Sequence, residues 1–202
     1  MNSQNIKLNH TVLKLSTATM LAVSLLTLTP VFADNYTIDN GGAHSSIQFK
    51  ISHLGYSWLW GRFNDFEGDF RYDKNNPSIS KIAVTVNAES VDTNHAELNK
   101  HLRSDDFLDV KKHPEIKFVS TRYTETKNGT GKLNGSLTFH GVTKEIEVDV
   151  AHVGSGKDPW GGYRRGFEGS TRITLADYGV KKNLGSASAE LELIVSLEGI
   201  KQ

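Results

Sequence analysis

Apolar and polar residues alternate with a period of two along most of this chain. Ile47, Phe49 and Ile51 are separated by Gln48 and Lys50, and Leu133, Leu137 and Phe139 are interleaved with Lys132, Asn134, Ser136 and Thr138. Ile146, Val148 and Val150 alternate with Glu145, Glu147 and Asp149; Leu191, Leu193, Val195 and Leu197 alternate mainly with Glu190, Glu192, Ser196 and Glu198. This period belongs to a strand with one dry face and one wet face. The pattern predicts eight strands: Tyr36 to His53, Phe63 to Tyr72, Ile79 to Ala88, Ile116 to Tyr123, Gly131 to His140, Glu145 to Val153, Arg164 to Leu175 and Ala187 to Glu198. Turn residues fill the joints, among them Asp73 to Pro77, Asn128-Gly129, His140-Gly141 and Asn183 to Gly185.

Eight antiparallel strands with short joints close as an up-and-down barrel, which leaves no exposed sheet edge and an interior wide enough for one small ligand. A two-sheet sandwich would fill the same inward positions with its own side chains, and periodicity fits both. On the inward phase lie Phe49, Ile51, Phe66, Phe70, Val84, Val86, Phe118, Leu137, Phe139, Val148, Phe167 and Leu193, the candidate lining of a barrel cavity. Ser90 to Pro114 breaks the alternation. Ala96, Glu97 and Leu98 follow a plausible cap at Asp92 or Thr93, which predicts one or two short helices between the third and fourth strands. Gly154 to Gly162 is a second irregular stretch, placed where a barrel would carry a lid.

The first residues follow a different rule. A polar start with Lys7 and Lys14 leads into an apolar run from Ala18 to Thr29, then Pro30 and Val31-Phe32-Ala33. This is the pattern of a secretory signal peptide cleaved after Ala33, so the domain division is 1–33 signal peptide and 34–202 barrel, with a periplasmic address. The apolar run is shorter than the roughly 20 residues a transmembrane helix needs. The chain has 23 basic and 23 acidic residues and no cysteine. Balanced charge argues against nucleic acid as a partner, and the absence of cysteine removes disulfides, thiolate nucleophiles and cysteine metal sites.

Chemistry-bearing motifs are missing as well. His95 and His101 are six apart and face different sides of a helix, the other histidines are scattered, and no HExxH is present, so no metal site is read. No GxSxG elbow and no phosphate-binding lysine follow the glycine-rich stretches. No catalytic residue is assigned.

Several long strings resemble one family. AHSSIQFKISHLGYSWLWGRFNDFEG (Ala43 to Gly68), SVDTNHAELNKHLRSDDF (Ser90 to Phe107), HPEIKF (His113 to Phe118), LTFHGVTK (Leu137 to Lys144) and DPWGGYRRGFEG (Asp158 to Gly169) resemble the YceI family of exported, lipocalin-like proteins. The resemblance covers essentially the whole chain after the leader. It implies an extended eight-stranded antiparallel barrel whose interior holds a long polyisoprenoid chain: a prenyl diphosphate, an isoprenoid quinone or, for some members, a fatty-acid amide. It implies no catalytic residues and no cofactor beyond the bound lipid. Trp58, Trp60 and Trp160 are then candidates for a mouth or lid, against a tryptophan plug closing one barrel end. Arg103, Arg164 and Arg165 are candidates for the head group, because guanidinium offers a planar fork of donors, against the ordinary role of a surface arginine.

The expected function is binding, storage or transport of an amphiphilic isoprenoid in the periplasm, with a transient membrane contact and a homodimer both compatible. The alternatives are an enzyme or redox accessory acting on an isoprenoid or quinone, and a stress-induced protein with an incidental pocket.

Overall fold

The computed structural model describes Met1 and residues 33–41, 44–126, 129–182 and 184–202. The leader, Asn128 and Asn183 therefore lie outside the described residues.

Among the described residues the strands are β1 (Asp34–Ile38), β2 (Ser46–His53), β3 (Ser57–Phe63), β4 (Phe66–Tyr72), β5 (Lys81–Asn87), β6 (Val91–Asp92), β7 (Glu115–Glu125), β8 (Thr130–Phe139), β9 (Val142–Lys157), β10 (Tyr163–Thr174) and β11 (Glu190–Lys201), with one α-helix, α1 (Ala96–Arg103). All pairings are antiparallel, and β1 pairs with both β4 and β11, which closes the sheet on itself. The eleven segments make eight barrel strands. β1 with β2, β3 with β4 and β5 with β6 are each one long strand broken once, and the broken pairs lie beside one another: β1 and β2 both run along β11, while β3 pairs with β2 and β4 with β1. The eight-stranded antiparallel barrel is thus the observed architecture.

Side-chain bonds to distant backbone make the breaks. Between Ile38 and Ser46 the chain leaves the ladder, and the Ser45 hydroxyl takes the vacant place by accepting from Glu198 N at 2.9 Å. At Asn64-Asp65, Ser90 Oγ accepts from Asp65 N at 3.0 Å and Ser90 O from Asn64 N at 3.2 Å, tying the kink to the start of β6. The expected unbroken strand over Tyr36 to His53 is corrected accordingly, and the strand expected from Phe63 to Tyr72 starts earlier, at Ser57 in β3, and is broken at Asn64-Asp65. β9 continues to Lys157, so the first part of the supposed irregular stretch, Gly154 to Lys157, is strand, and the hairpin Asp158 to Gly162 remains as loop.

The insert between β6 and β7 holds α1, as its loss of alternation predicts. Its N-cap is His95, whose Nδ1 accepts from Leu98 N at 3.3 Å, rather than Asp92 or Thr93. Those two instead bind Asn99: its amide donates to Asp92 and its Oδ1 accepts from Thr93. Leu102 of α1 and, after the helix, Phe107, Leu108 and Val110 pack against the barrel core. This insert and the segment from Leu175 to Ala189 lie at one end of the barrel, the helical end; the β7–β8 and β9–β10 turns mark the other, the hairpin end.

Candidate ligand-binding site

Pleating sends the even-spaced apolar residues inward, and they leave a cavity of about 180 Å³ between them. Its wall includes Phe70, Val84, Val86, Phe118, Leu137, Phe139, Val148, Phe167 and Leu193, all on the inward phase read from the sequence. Three expected lining residues do not reach it. Phe49 folds over Gly61 of β3 and packs on Phe63 at 5.8 Å, while Phe66 and Ile51 pack in the core beside it. Gly61 permits this close approach: a Cβ there would sit 2.2 Å from the Phe49 ring. Ile47, Phe63, Ile116, Ile146, Val150, Val195 and Leu197 complete much of the wall.

The interior changes character toward the hairpin end. Arg165 on β10 points inward and is only 9% exposed. Its Nη1 donates to His152 Nε2 at 3.2 Å and its Nε to Tyr36 Oη at 3.3 Å, and the guanidinium lies 4.5 Å from the Tyr72 ring centroid. The Tyr72 hydroxyl donates to Glu125 at 3.2 Å, and burial followed by the Glu125 charge pushes its pKa up. Tyr123 is 4% exposed, lines the cavity, and has no hydrogen-bond partner for its hydroxyl among the described residues. Burial, then Glu125, moves it up to about 12. Burial and the adjacent Arg165 lower the His152 pKa, which agrees with a neutral ring whose Nε2 accepts. Phe70 and Phe167, with ring centroids 5.7 Å apart, line the cavity beside this polar group, the Phe167 ring lying 5.6 Å from that of Tyr72 and 5.4 Å from that of His152.

The remaining sequence-predicted residues are placed elsewhere. Arg164, next to Arg165, points outward because neighbours on a strand face opposite sides. Its Nη1 donates to Asp39 and Glu198 and its Nε to Asp158 at 2.8 Å. Arg103 donates to the carbonyls of Glu89 at 2.7 Å and Val91 at 3.0 Å, fastening α1 to β6. Neither reaches the cavity. Trp58 and Trp60 are not in a connection between strands but on the outer face of β3, exposed, with the Lys50 ammonium 4.8 and 5.4 Å from their rings. Trp160 is exposed in the β9–β10 turn, 5.4 Å from the Arg164 guanidinium. Asp39, His44 and Glu198 bring ligand-type atoms within 4.8 Å of one another, but the Arg164 guanidinium already joins both carboxylates.

The Arg164 cluster has a testable consequence. Burial raises the Asp158 pKa, but the ion pair with Arg164 and the N–H groups of Gly162 and Trp160 outweigh it and hold the carboxyl below its usual range. A depressed carboxylate stabilises the fold above its unfolded pKa of 3.8, and that contribution is lost as pH falls through the lower folded value. Arg164→Met should therefore lower the thermal midpoint at pH 7, with the deficit shrinking below about pH 3.8. A deficit constant across that range would contradict the ion-pair account.

Comparison with known proteins agrees with this geometry. The model of the YceI-like domain matches residues 36–199. The UPF0312 protein PA0423 of Pseudomonas aeruginosa is 51% identical over 185 residues, covering 92% of this chain and 96% of the relative. The crystal structure of the Campylobacter jejuni YCEI protein superposes with a TM-score of 0.68 at 29% identity, covering 75% of this chain and 90% of that one. A polyisoprenoid binding domain from Saccharophagus degradans, implicated in plant cell wall breakdown, shares the fold with a TM-score of 0.60 at 16% identity, over 83% of this chain and 98% of its own. By its domain match and its half-identical relatives, this chain belongs to the YceI-like family.

Proposed function

We propose that this protein binds a long amphiphilic isoprenoid inside its barrel and stores or carries it in the periplasm. The observation that carries the reading is the interior itself: a cavity walled almost entirely by carbon, ending in buried polar groups. An amphiphile needs both. Each buried methylene-sized group contributes roughly 0.8 kcal/mol, so a tail of a few prenyl units offsets the cost of ordering it. A dry cavity of about 150 Å³ holds a benzene-sized body. The cavity here is similar, so a long tail enters as lining side chains rotate aside, half-buried Phe118 and Phe167 among them. Discrimination by tail length should then be loose, at about 1–3 kcal/mol per methylene. The Saccharophagus domain, described as polyisoprenoid binding, contributes a shared fold to this argument and no more.

Export rests on the leader pattern from Met1 to Ala33. Both parts of the proposal are tested on one preparation, the protein released from its own periplasm by osmotic shock. Intact mass should give a chain starting at Asp34, and organic extraction followed by mass spectrometry should give a stoichiometric isoprenoid. Retained Met1 on membrane-bound protein would overturn the address; an empty or randomly loaded barrel would overturn the ligand.

A further inference from the structure

From the charge inside the hairpin end, and resting on the isoprenoid reading above, we infer that the buried group of Arg165, Tyr123, Tyr72, His152 and Glu125 receives an uncharged, oxygen-bearing head group, such as a quinone carbonyl or an alcohol, and disfavours a diphosphate.

The first support is an unfilled hydrogen-bonding capacity. Tyr123 is almost wholly buried on the cavity wall, yet its hydroxyl has no partner among the described residues. Leaving a buried hydroxyl unpaired is costly, and a ligand oxygen at the end of the cavity would offset that cost. Arg165, behind Tyr72 and Phe167, uses one N–H toward Tyr36 and one toward His152, out of the five a guanidinium carries. No carboxylate lies within ion-pair distance of it among the described residues. The site thus offers donors to an acceptor oxygen.

The second support is the charge count. Arg165 is the one inward cation among the described residues of this cluster. Against it stands Glu125, held by Tyr72; the buried Asp73 carboxylate, just after β4, is taken up by the N–H groups of Asn75 and Asn76. Asp34, below Tyr36, is paired with Lys201 at 2.6 Å. His152 accepts from Arg165 and so is neutral, and the tyrosines are protonated at neutral pH. The interior balance is therefore close to zero or slightly negative. A diphosphate would bring several negative charges into it without matching cations, and burying unpaired charge is far costlier than burying a hydrogen-bonded neutral group. Arg71 and Lys81 lie at the rim, but Arg71 alternates outward between Phe70 and Tyr72, and the Lys81 ammonium is held by the Thr121 carbonyl.

The test uses three probes with one geranylgeranyl tail and different heads: geranylgeraniol, the naphthoquinone carrying that tail, and geranylgeranyl diphosphate. Each is titrated into delipidated full-length mature protein at pH 7, with intrinsic fluorescence as the readout. The alcohol and the quinone should bind at least about tenfold more tightly than the diphosphate. Glu125→Gln, which removes a negative charge and keeps an acceptor for Tyr72, should raise diphosphate affinity and narrow the gap. Tyr123→Phe, which keeps the ring, should weaken the quinone several-fold and leave the diphosphate unchanged. Diphosphate binding as tight as the quinone in the unaltered protein would overturn the inference and make the rim cations the head-group site. Failure of all three probes to bind would instead sink the isoprenoid reading beneath it.

Discussion

Phe139→Asp is expected to abolish or nearly abolish folding at room temperature, while Thr138→Asp, one residue earlier, should change stability by no more than about 1 kcal/mol. Phe139 is 4% exposed, faces the cavity, and packs edge-on against Tyr178 with centroids 5.6 Å apart. Removing a buried phenyl ring costs about 3–5 kcal/mol, and an unpaired carboxylate in its place adds several more. A domain with roughly 5–15 kcal/mol of total stability does not survive that comfortably. Thr138 faces the outer side, where its hydroxyl meets that of Thr143 at 2.8 Å and its backbone pairs with Lys117. An aspartate there would sit opposite a lysine across the ladder, a favourable pair worth a few tenths of a kcal/mol. Denaturant midpoints of the two variants check the contrast, and similar values would mean that the two faces of β8 are not what the structure shows.

That contrast was legible in the sequence, because a strand with one buried face writes its register as alternation. The same rule separates Arg164 from Arg165: adjacent strand residues cannot both point inward, and Phe167, on the same strand, puts Arg165 on the inward phase. Tyr123 and Glu125 were harder. Counting in twos from Phe118 puts both on the outside, but a register shift between Ser120 and Arg122 inserts one residue and reverses the phase of the rest of β7, which turns Tyr123 and Glu125 inward. No local signal announces that bulge. The strand breaks at Asp39 to Ser45 and at Asn64-Asp65 are equally invisible, since Ser45 and Glu198, which set the first, are 153 residues apart. Trp58 and Trp60 flank Leu59 in an almost continuous apolar run, so their outward phase is masked until Lys50 is found beside the two rings. Hydrophobic patterning reports burial on average. It does not report which polar groups a distant strand brings to the same end of a barrel, and so the cluster around Arg165 emerged only from the fold.

Val148→Phe should leave the ligand-free barrel as stable as before, or slightly more stable, and at the same time strip it of most of its retained lipid. Val148 is buried on the cavity wall of β9, and a phenyl ring there has empty space ahead of it. Filling a void restores van der Waals contacts that its lining lacks, each about 0.1–0.2 kcal/mol but many in number. The same ring would occupy a large part of a cavity of about 180 Å³, leaving a prenyl tail little room to pass. Were the interior a closed, self-filled core, the larger side chain would overpack it at about 1–3 kcal/mol and there would be no lipid to displace. Val84→Phe, on the β5 part of the wall, repeats the test with different neighbours. The two measurements are the thermal midpoint of delipidated protein and the isoprenoid recovered per chain from the native host. If both variants lose stability and lipid recovery stays at the level of the unaltered protein, the ligand does not occupy this cavity.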